Sequence, residues 1–365
     1  MAATFPFHRF QGSHREVGRQ YGESCAALIH QHRDLALNRL QATLGIPAEV
    51  ALARAMTYRD AVRKDAAFFD DEIVGMAEGS GLTLPEAYLL QLRAEVGIVT
   101  ESGLAEEPGD ECTSFAIQPE ATSDGVAMVG QNADLPAFYR TIGVMAEMVF
   151  DDMPSILMLM PAGQMSYLGI NDRGVGVSAN FVTCDGWRVG FPRYFLSRLA
   201  LTQESVDGAV EAIRGVTRAS SRNLIMVDGH GVAADIETTP TRDVRIEPRD
   251  GVLAHANHYA SPDLADEERS KPKNQANSRQ REETMWRLLE ERRGELNPDM
   301  MQEILRDRGA YPDCLCRLPD DNPASDTMTF ASIIAQPTER QMWVAVGPPN
   351  EHEYRHYAFG MPVDA

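Results

Sequence analysis

Cysteine is scarce in this chain. The five present, Cys25, Cys112, Cys184, Cys314 and Cys316, are odd in number and scattered. That excludes a disulfide scaffold and fits a reducing compartment. Positive charge is short too: 34 Lys and Arg stand against 54 Asp and Glu, a formal net charge of −20. Such a polyanion is a poor ligand for nucleic acid or an anionic membrane, so neither is expected as a partner. No apolar run is long enough to cross a bilayer; residues 156–162 are among the longest. Residues 1–16 lack an apolar stretch of signal-peptide type, so a cytoplasmic location is expected. There is no internal repeat. What remains, 43% hydrophobic residues in a chain of 365, is enough for a large core.

Residues 1–100 read as mostly helical. Ser13-His14-Arg15-Glu16 has the form of a capping box, and a long helix should follow through Leu40. A second helix is expected from about Pro47 to Lys64. Thr83-Leu84-Pro85-Glu86 is another capping box, opening a helix through Leu89, Leu92 and Val96. Past residue 112, short β-branched runs alternate with turn signals. The pairs 112–119/126–131, 165–170/175–182, 223–227/232–238 and 327–336/340–346 read as antiparallel hairpins. Helical patterns intervene at about 191–214 and 276–307. Residues 261–282 are charged and poor in apolar side chains, so they read as a surface excursion or mobile loop. Hairpins with helices in two blocks predict two packed sheets covered by helices, an α+β domain.

Cys112 stands where an acidic, Gly- and Pro-containing run, residues 101–111, meets the alternating run Cys112-Thr113-Ser114-Phe115-Ala116-Ile117. An isolated cysteine is commonly a buried small hydrophobe. A cysteine opening a strand after a loop is also well placed to become a new N-terminus. If the Glu111–Cys112 bond breaks, one residue carries both a thiol and an α-amine. An α-amine of pKa near ~8 can serve as general base for that thiol.

Several segments together resemble the acyl-CoA:6-aminopenicillanic acid acyltransferase family of autoproteolytic N-terminal-nucleophile hydrolases. Gly12-Ser13-His14-Arg15-Glu16-Val17-Gly18 with Tyr21-Gly22 resembles its N-terminal signature, and Glu111-Cys112-Thr113-Ser114-Phe115 its nucleophile segment. Gly130-Gln131-Asn132-Ala133-Asp134, Gly169-Ile170-Asn171-Asp172-Arg173-Gly174, Pro192-Arg193 and His255-Ala256-Asn257-His258 follow in the family's order. The resemblance implies an αββα sandwich, self-cleavage before Cys112, and amide hydrolysis or acyl transfer. Glu111 departs from the archetypal glycine, which relieves strain at a scissile peptide. Slowed cleavage and unaffected cleavage both stay open; cleavage is the expectation.

The resemblance also implies roles. Asp134 would lie beside the nucleophile's amine, although alone it reads as a turn aspartate. Related amidases carry an arginine three residues earlier, where this chain has Gln131, so a charge is missing. Asn257 would donate to the oxyanion; by itself it reads as a strand-end asparagine. Asn171 is a second oxyanion candidate, but its Asn-Asp-Arg-Gly turn is sufficient reason for an asparagine. Arg193, Arg222 and Arg93 could bind a substrate carboxylate bidentately, or be ordinary ion pairs. Arg193 is preferred, with Ser220 and Ser221 as pocket-lining candidates.

The expectation is a pro-segment or small subunit at 1–111 and a catalytic large subunit at 112–365. The cleaved fragments would stay associated. The substrate is a small amide or acyl donor, and no metal or organic cofactor is required. No Lys/Arg cluster marks a site for CoA phosphates, which favours amide hydrolysis. Two rivals stand beside this. One is a metal-dependent hydrolase using His255, His258 and acidic partners; Cys314 and Cys316 could join them, but Cys-x-Cys is not the usual zinc-knuckle spacing and the segments lie far apart. The other is a non-enzymatic binding protein on the same fold.

Overall fold

The computed structural model describes residues 4–92, 94–98, 112–321 and 325–362. Its N-terminal part opens with strand β1 (Phe7–Gly12), then helices α1 (His14–Leu44), α2 (Ala48–Met56), α3 (Arg59–Asp65), α4 (Ala67–Ser80), α5 (Leu84–Leu89) and α6 (Glu95–Ile98). The mostly helical expectation missed β1, in which Phe7 and Phe10 are buried. The expected helix over 47–64 is two helices, and the one expected through Val96 stops at Leu89. Ser13 caps α1 by accepting from the Glu16 amide at 3.4 Å. The reciprocal half of that capping box does not form, because the Glu16 carboxylate is taken by Arg19 and Gln20.

α1 buries Val17, Tyr21, Cys25 and Ile29 along one stripe and crosses α4 at backbone contact. A Cβ at Gly18 would lie 2.1 Å from the Glu72 carbonyl oxygen, and one at Gly75 2.1 Å from that of Arg15. Gly22 and Gly79 meet the partner backbone in the same way. Spacing of four on both helices puts the glycines on one face, and only hydrogen fits between the chains there.

The rest builds strands β2 (Thr113–Ile117), β3 (Met128–Pro136), β4 (Gly143–Phe150), β5 (Ile156–Pro161), β6 (Leu168–Asn171) and β7 (Gly176–Asn180). Helices α7 (Arg193–Ala200) and α8 (Val206–Gly215) precede β8 (Arg222–Val227), β9 (Ala233–Thr238), β10 (Asp243–Ile246) and β11 (Val252–His255). Helices α9 (Pro272–Glu291) and α10 (Pro298–Leu305) lead to β12 (Thr327–Gln336), β13 (Gln341–Val346) and β14 (Tyr354–Ala358). All four expected hairpins are present.

One sheet has the order β1-β4-β5-β6-β7-β8-β9-β10 and the other β11-β2-β3-β12-β13-β14. The β1–β4 pair is parallel and the rest are antiparallel, so the N-terminal part donates an edge strand to the larger sheet. β2 and β3 pack on β7 and β8; α7 and α8 lie against the larger sheet, α9 and α10 against the smaller. The architecture is an αββα sandwich. At one end, a polar layer of Ser114, Gln131, Asn180, Asn223, Asp235, Glu237 and His255 is buried between the sheets.

The segment read as a solvated linker is ordered. A short 3-10 turn covers Pro262–Glu267, and α9 begins at Pro272. Asn277, Ser278 and Arg281 of that segment are buried. Polar composition suggested solvent, but these side chains turn inward, Arg281 onto Cys112 and Thr113 at the start of β2 and both Arg281 and Ser278 onto Asn257 just after β11.

Candidate active site

Cys112 immediately precedes β2 and is 2% exposed. Its thiol lies 3.9 Å from the Asp134 carbonyl oxygen on β3. The Asp134 carboxylate accepts from the Thr329 hydroxyl at 2.6 Å. Strand β3 thus places the Asp134 backbone carbonyl beside the thiol, and β12 holds the Asp134 carboxylate through Thr329. Glu111 and Arg93 lie outside the described residues.

The residue that organises this corner is Arg281. Its Nη1 donates to the Cys112 carbonyl at 2.6 Å and to the Thr113 hydroxyl at 2.7 Å. Nη2 donates to Asn257 Oδ1 at 3.0 Å, and Nε to Asn277 Oδ1 at 2.9 Å. Burial lowers its pKa, against the opposing pull of Asp134 and Cys112. The sequence assigned no role to Arg281 and flagged Gln131 only as an uncharged residue. Gln131 instead accepts from the Ala179 amide at 2.9 Å, stitching β3 to β7. The cation of this corner is on α9. The signal was Asn277, Ser278 and Arg281, uncharged amide and hydroxyl groups sharing a helical face with one arginine, inside a segment otherwise full of charge.

Asn257 is half-buried, on the segment after β11. Because Arg281 donates to its Oδ1, its NH2 must face the other way. One of those hydrogens goes to the Phe181 carbonyl at 2.9 Å. The second is available to an oxyanion. The Asn257 backbone is pinned by its amide donating to Ser278 Oγ at 2.6 Å. Asn180 donates to the carbonyls of His255 and Ala256 just upstream.

Asn171 is not brought to this corner. Its Nδ2 donates to the carbonyls of Leu201 and Gln203, capping the end of α7, and its Oδ1 accepts from the amides of Arg173 and Val175. Both donors are spent on the turn and the helix end. The helical pattern expected over 191–214 is two helices, α7 and α8.

His255 and His258 do not combine as metal ligands. His255 Nε2 faces Glu237 at 2.8 Å and Nδ1 faces the Ala256 carbonyl at 2.8 Å, so both nitrogens meet acceptors and carry hydrogen. Burial opposes that charge, but Asp235 and Glu237 outweigh it and raise the pKa to about 10. His258 sits between Ser278 and Glu282. Among the described residues no His, Cys, Asp or Glu group is arranged for a metal ion. Burial pushes the thiols of Cys25 and Cys316 up to about 12 and that of Cys314 to about 11.

Arg193 and Ser220 both converge on Glu95. Arg193 Nε lies 3.7 Å from Glu95 Oε1, and the Ser220 hydroxyl donates to the same oxygen at 3.0 Å. Ser221 donates to the Val182 carbonyl.

Comparison with known proteins decides the family. The pattern described as acyl-coenzyme A:6-aminopenicillanic acid acyl-transferase matches residues 121–351. The chain belongs to that family. The acyl-coenzyme A:6-aminopenicillanic-acid-acyltransferase 40 kDa form of Emericella nidulans is 24% identical over 343 residues, 93% of this chain and 92% of that one. A variant of conjugated bile acid hydrolase from Clostridium perfringens overlays with TM-score 0.44 at 11% identity, covering 70% of this chain and 99% of that one. Penicillin V acylase from Agrobacterium tumefaciens overlays with TM-score 0.44 at 12% identity, covering 64% and 83%. Within the family, the match spans β3 with Asp134, the segment after β11 with Asn257, and α9 with Arg281. No helix among the described residues is long and apolar enough to cross a membrane.

Proposed function

We propose that this family member is a cysteine N-terminal-nucleophile enzyme that hydrolyses a linear amide, or passes its acyl group to an amine, through Cys112. The observation that carries the reading is the single guanidinium of Arg281 bonded to both the Cys112 carbonyl and Asn257 Oδ1. It ties the nucleophile and the oxyanion donor to one rigid cation.

Maturation begins with the Cys112 thiol attacking the Glu111 carbonyl. The peptide C–N bond breaks, a thioester forms, and the Cys112 nitrogen becomes an amine. Water opens the thioester, leaving residues 1–111 with a free carboxylate. In turnover, the amine takes the thiol proton as sulfur attacks the substrate carbonyl. The oxyanion accepts from Asn257 Nδ2. The leaving nitrogen takes the proton back as its C–N bond breaks, and Cys112 carries the acyl group. Water or a second amine then releases it. A carboxylate at Asp134 favours the ammonium form of the amine. The α1/α4 pair and β1 belong to the released segment, which stays docked through the β1–β4 ladder.

Intact mass of the wild type beside Cys112→Ala tests this. Fragments 1–111 and 112–365 in the wild type alone, followed by an acyl adduct on residue 112 when amides are added, are the expected result. An uncut wild-type chain that takes no acyl group at Cys112 would overturn it, leaving a binding protein on this fold.

A further inference from the structure

Asn257 lies in the segment 256–261, which leaves β11 at one edge of the smaller sheet and belongs to no strand. Such a loop moves unless its backbone groups are tied down. An oxyanion donor has to stand still, since a misplacement of ~1 Å costs about a hundredfold in rate. Upstream, Asn180 of β7 holds the His255 and Ala256 carbonyls at 2.8 and 2.7 Å. Downstream, the anchor is Glu237.

Glu237 is on β9 of the larger sheet and fully buried. Its Oε1 meets His255 Nε2 at 2.8 Å and accepts from the Ala260 amide at 2.5 Å, and its Oε2 accepts from the Ser261 amide at 3.1 Å. One carboxylate thus reaches across the sandwich and joins His255, before Asn257, to Ala260 and Ser261, after it. The Tyr259 hydroxyl donates to the Thr238 carbonyl, on the same strand, at 3.1 Å. His255 is faced by Asp235 and Glu237 from β9 and by Glu282 from α9, with the His258 ring stacked at 6.2 Å. A buried ion pair holds two sheets together no better than apolar side chains of the same volume. What it adds is direction: charge-assisted hydrogen bonds fix where the bonded backbone lies. Three donors occupy the two oxygens, so a glutamine here would turn its NH2 against one of them.

We propose that Glu237 is a positioning residue for the reaction at Cys112: it clasps both ends of the 255–261 loop and so holds the Asn257 N–H where the oxyanion forms. This rests on the Cys112 reading for its chemistry. Glu237 acts only through the loop it holds.

The test compares the full-length wild type with Glu237→Gln on p-nitrophenyl esters from acetyl to decanoyl, with Cys112→Ala as the blank. Intact mass counts the cleaved molecules, so that rates are expressed per nucleophile. Hydrogen exchange read by mass spectrometry follows residues 256–261. Glu237→Gln should lower kcat by roughly tenfold or more with KM within about twofold, the mark of an interaction made in the transition state. Exchange at 260 and 261 should quicken while β2, β3 and β8 keep their protection. Ser261→Pro is the second variant, and decides alone if Glu237→Gln does not fold. The φ of −70° at Ser261 already suits proline, and the change removes one donor to Glu237, with the Ser261 cap on Asp263, while the buried charges stay. It should lower kcat by a smaller factor and again spare KM. A kcat that survives both changes, or a loss that falls on KM, overturns the positioning role. Wild-type release no faster than that of Cys112→Ala sinks the nucleophile reading, and the positioning role with it. An active wild type beside an equally active Glu237→Gln sinks the positioning role alone.

Discussion

Arg281 donates to Asn257 Oδ1 at 3.0 Å and thereby fixes which way the Asn257 amide faces. Without that donor, the side chain could rotate by half a turn and present oxygen, not N–H, to an oxyanion. Arg281 reaches Cys112, Thr113, Asn257 and Asn277 at once, which needs a planar fork with several fixed donors.

Arg281→Lys should therefore be a poor replacement, although it keeps the charge. A lysine ammonium cannot span the same acceptors. We expect kcat for acylation to fall by roughly a hundredfold, the scale of losing one oxyanion donor, with a smaller change in KM. Single-turnover kinetics followed by mass spectrometry would measure it. Wild-type acylation in Arg281→Lys would show that the fork is dispensable.

The two asparagines should separate cleanly. Asn257→Ala should reduce kcat by roughly 10²–10³-fold with a modest loss of stability. Asn171→Ala should retain turnover per folded molecule but leave the Leu201 and Gln203 carbonyls without their donor, a loss of about 1–3 kcal/mol. Paired urea melts and rate measurements distinguish the outcomes.

Stability should decline as pH rises. Burial, the largest influence on Asp235, raises it to about 7 from an ordinary 3.8. The folded chain therefore holds a proton there that the unfolded chain has released between about pH 4 and pH 7, and stability falls across that window. His255, raised to about 10, adds stability that is complete below about pH 6.5 and lost as pH rises through 10. Urea unfolding at pH 5, 7 and 9 should show the slope, and Asp235→Asn should flatten its lower part. A wild-type slope of the opposite sign would refute this assignment.

Gly18→Ala and Gly75→Ala should each disrupt the α1–α4 contact. Each added methyl meets a backbone carbonyl, which cannot rotate away. Overpacking of this kind costs about 1–3 kcal/mol. Thermal melting of the intact chain should register it, whereas Gly45→Ala, where nothing lies within 4 Å, should be limited to the strain of its φ of 65°.

The strand pairs were legible because period-two alternation and turn residues are local. Ser123-Asp124-Gly125 and Asp228-Gly229-His230-Gly231 announce their hairpins with no help from distant residues. β1 was not legible: six residues before a long helix carry little pattern, and only pairing with β4 makes them a strand. Nor was the helical start of α9 at Pro272, since its polar inward face looks like solvent-facing sequence until its partners at the start of β2 and just after β11 are in place. Asn171 and Asn257 were both eligible as oxyanion donors by residue type. Their hydrogen-bond partners, thirty and more residues away, distinguish them.

The sequence by itself determined a layered α+β domain and its hairpins, through periodicity and turn chemistry, and, through ordered motifs that resemble one family, the αββα class and Cys112, Asp134 and Asn257 as candidates. Tertiary structure alone decided that Arg281 joins Cys112 to Asn257 and that Asn171 caps a helix. Those are facts about which polar groups meet once water is excluded, and no local pattern encodes a partner at that distance.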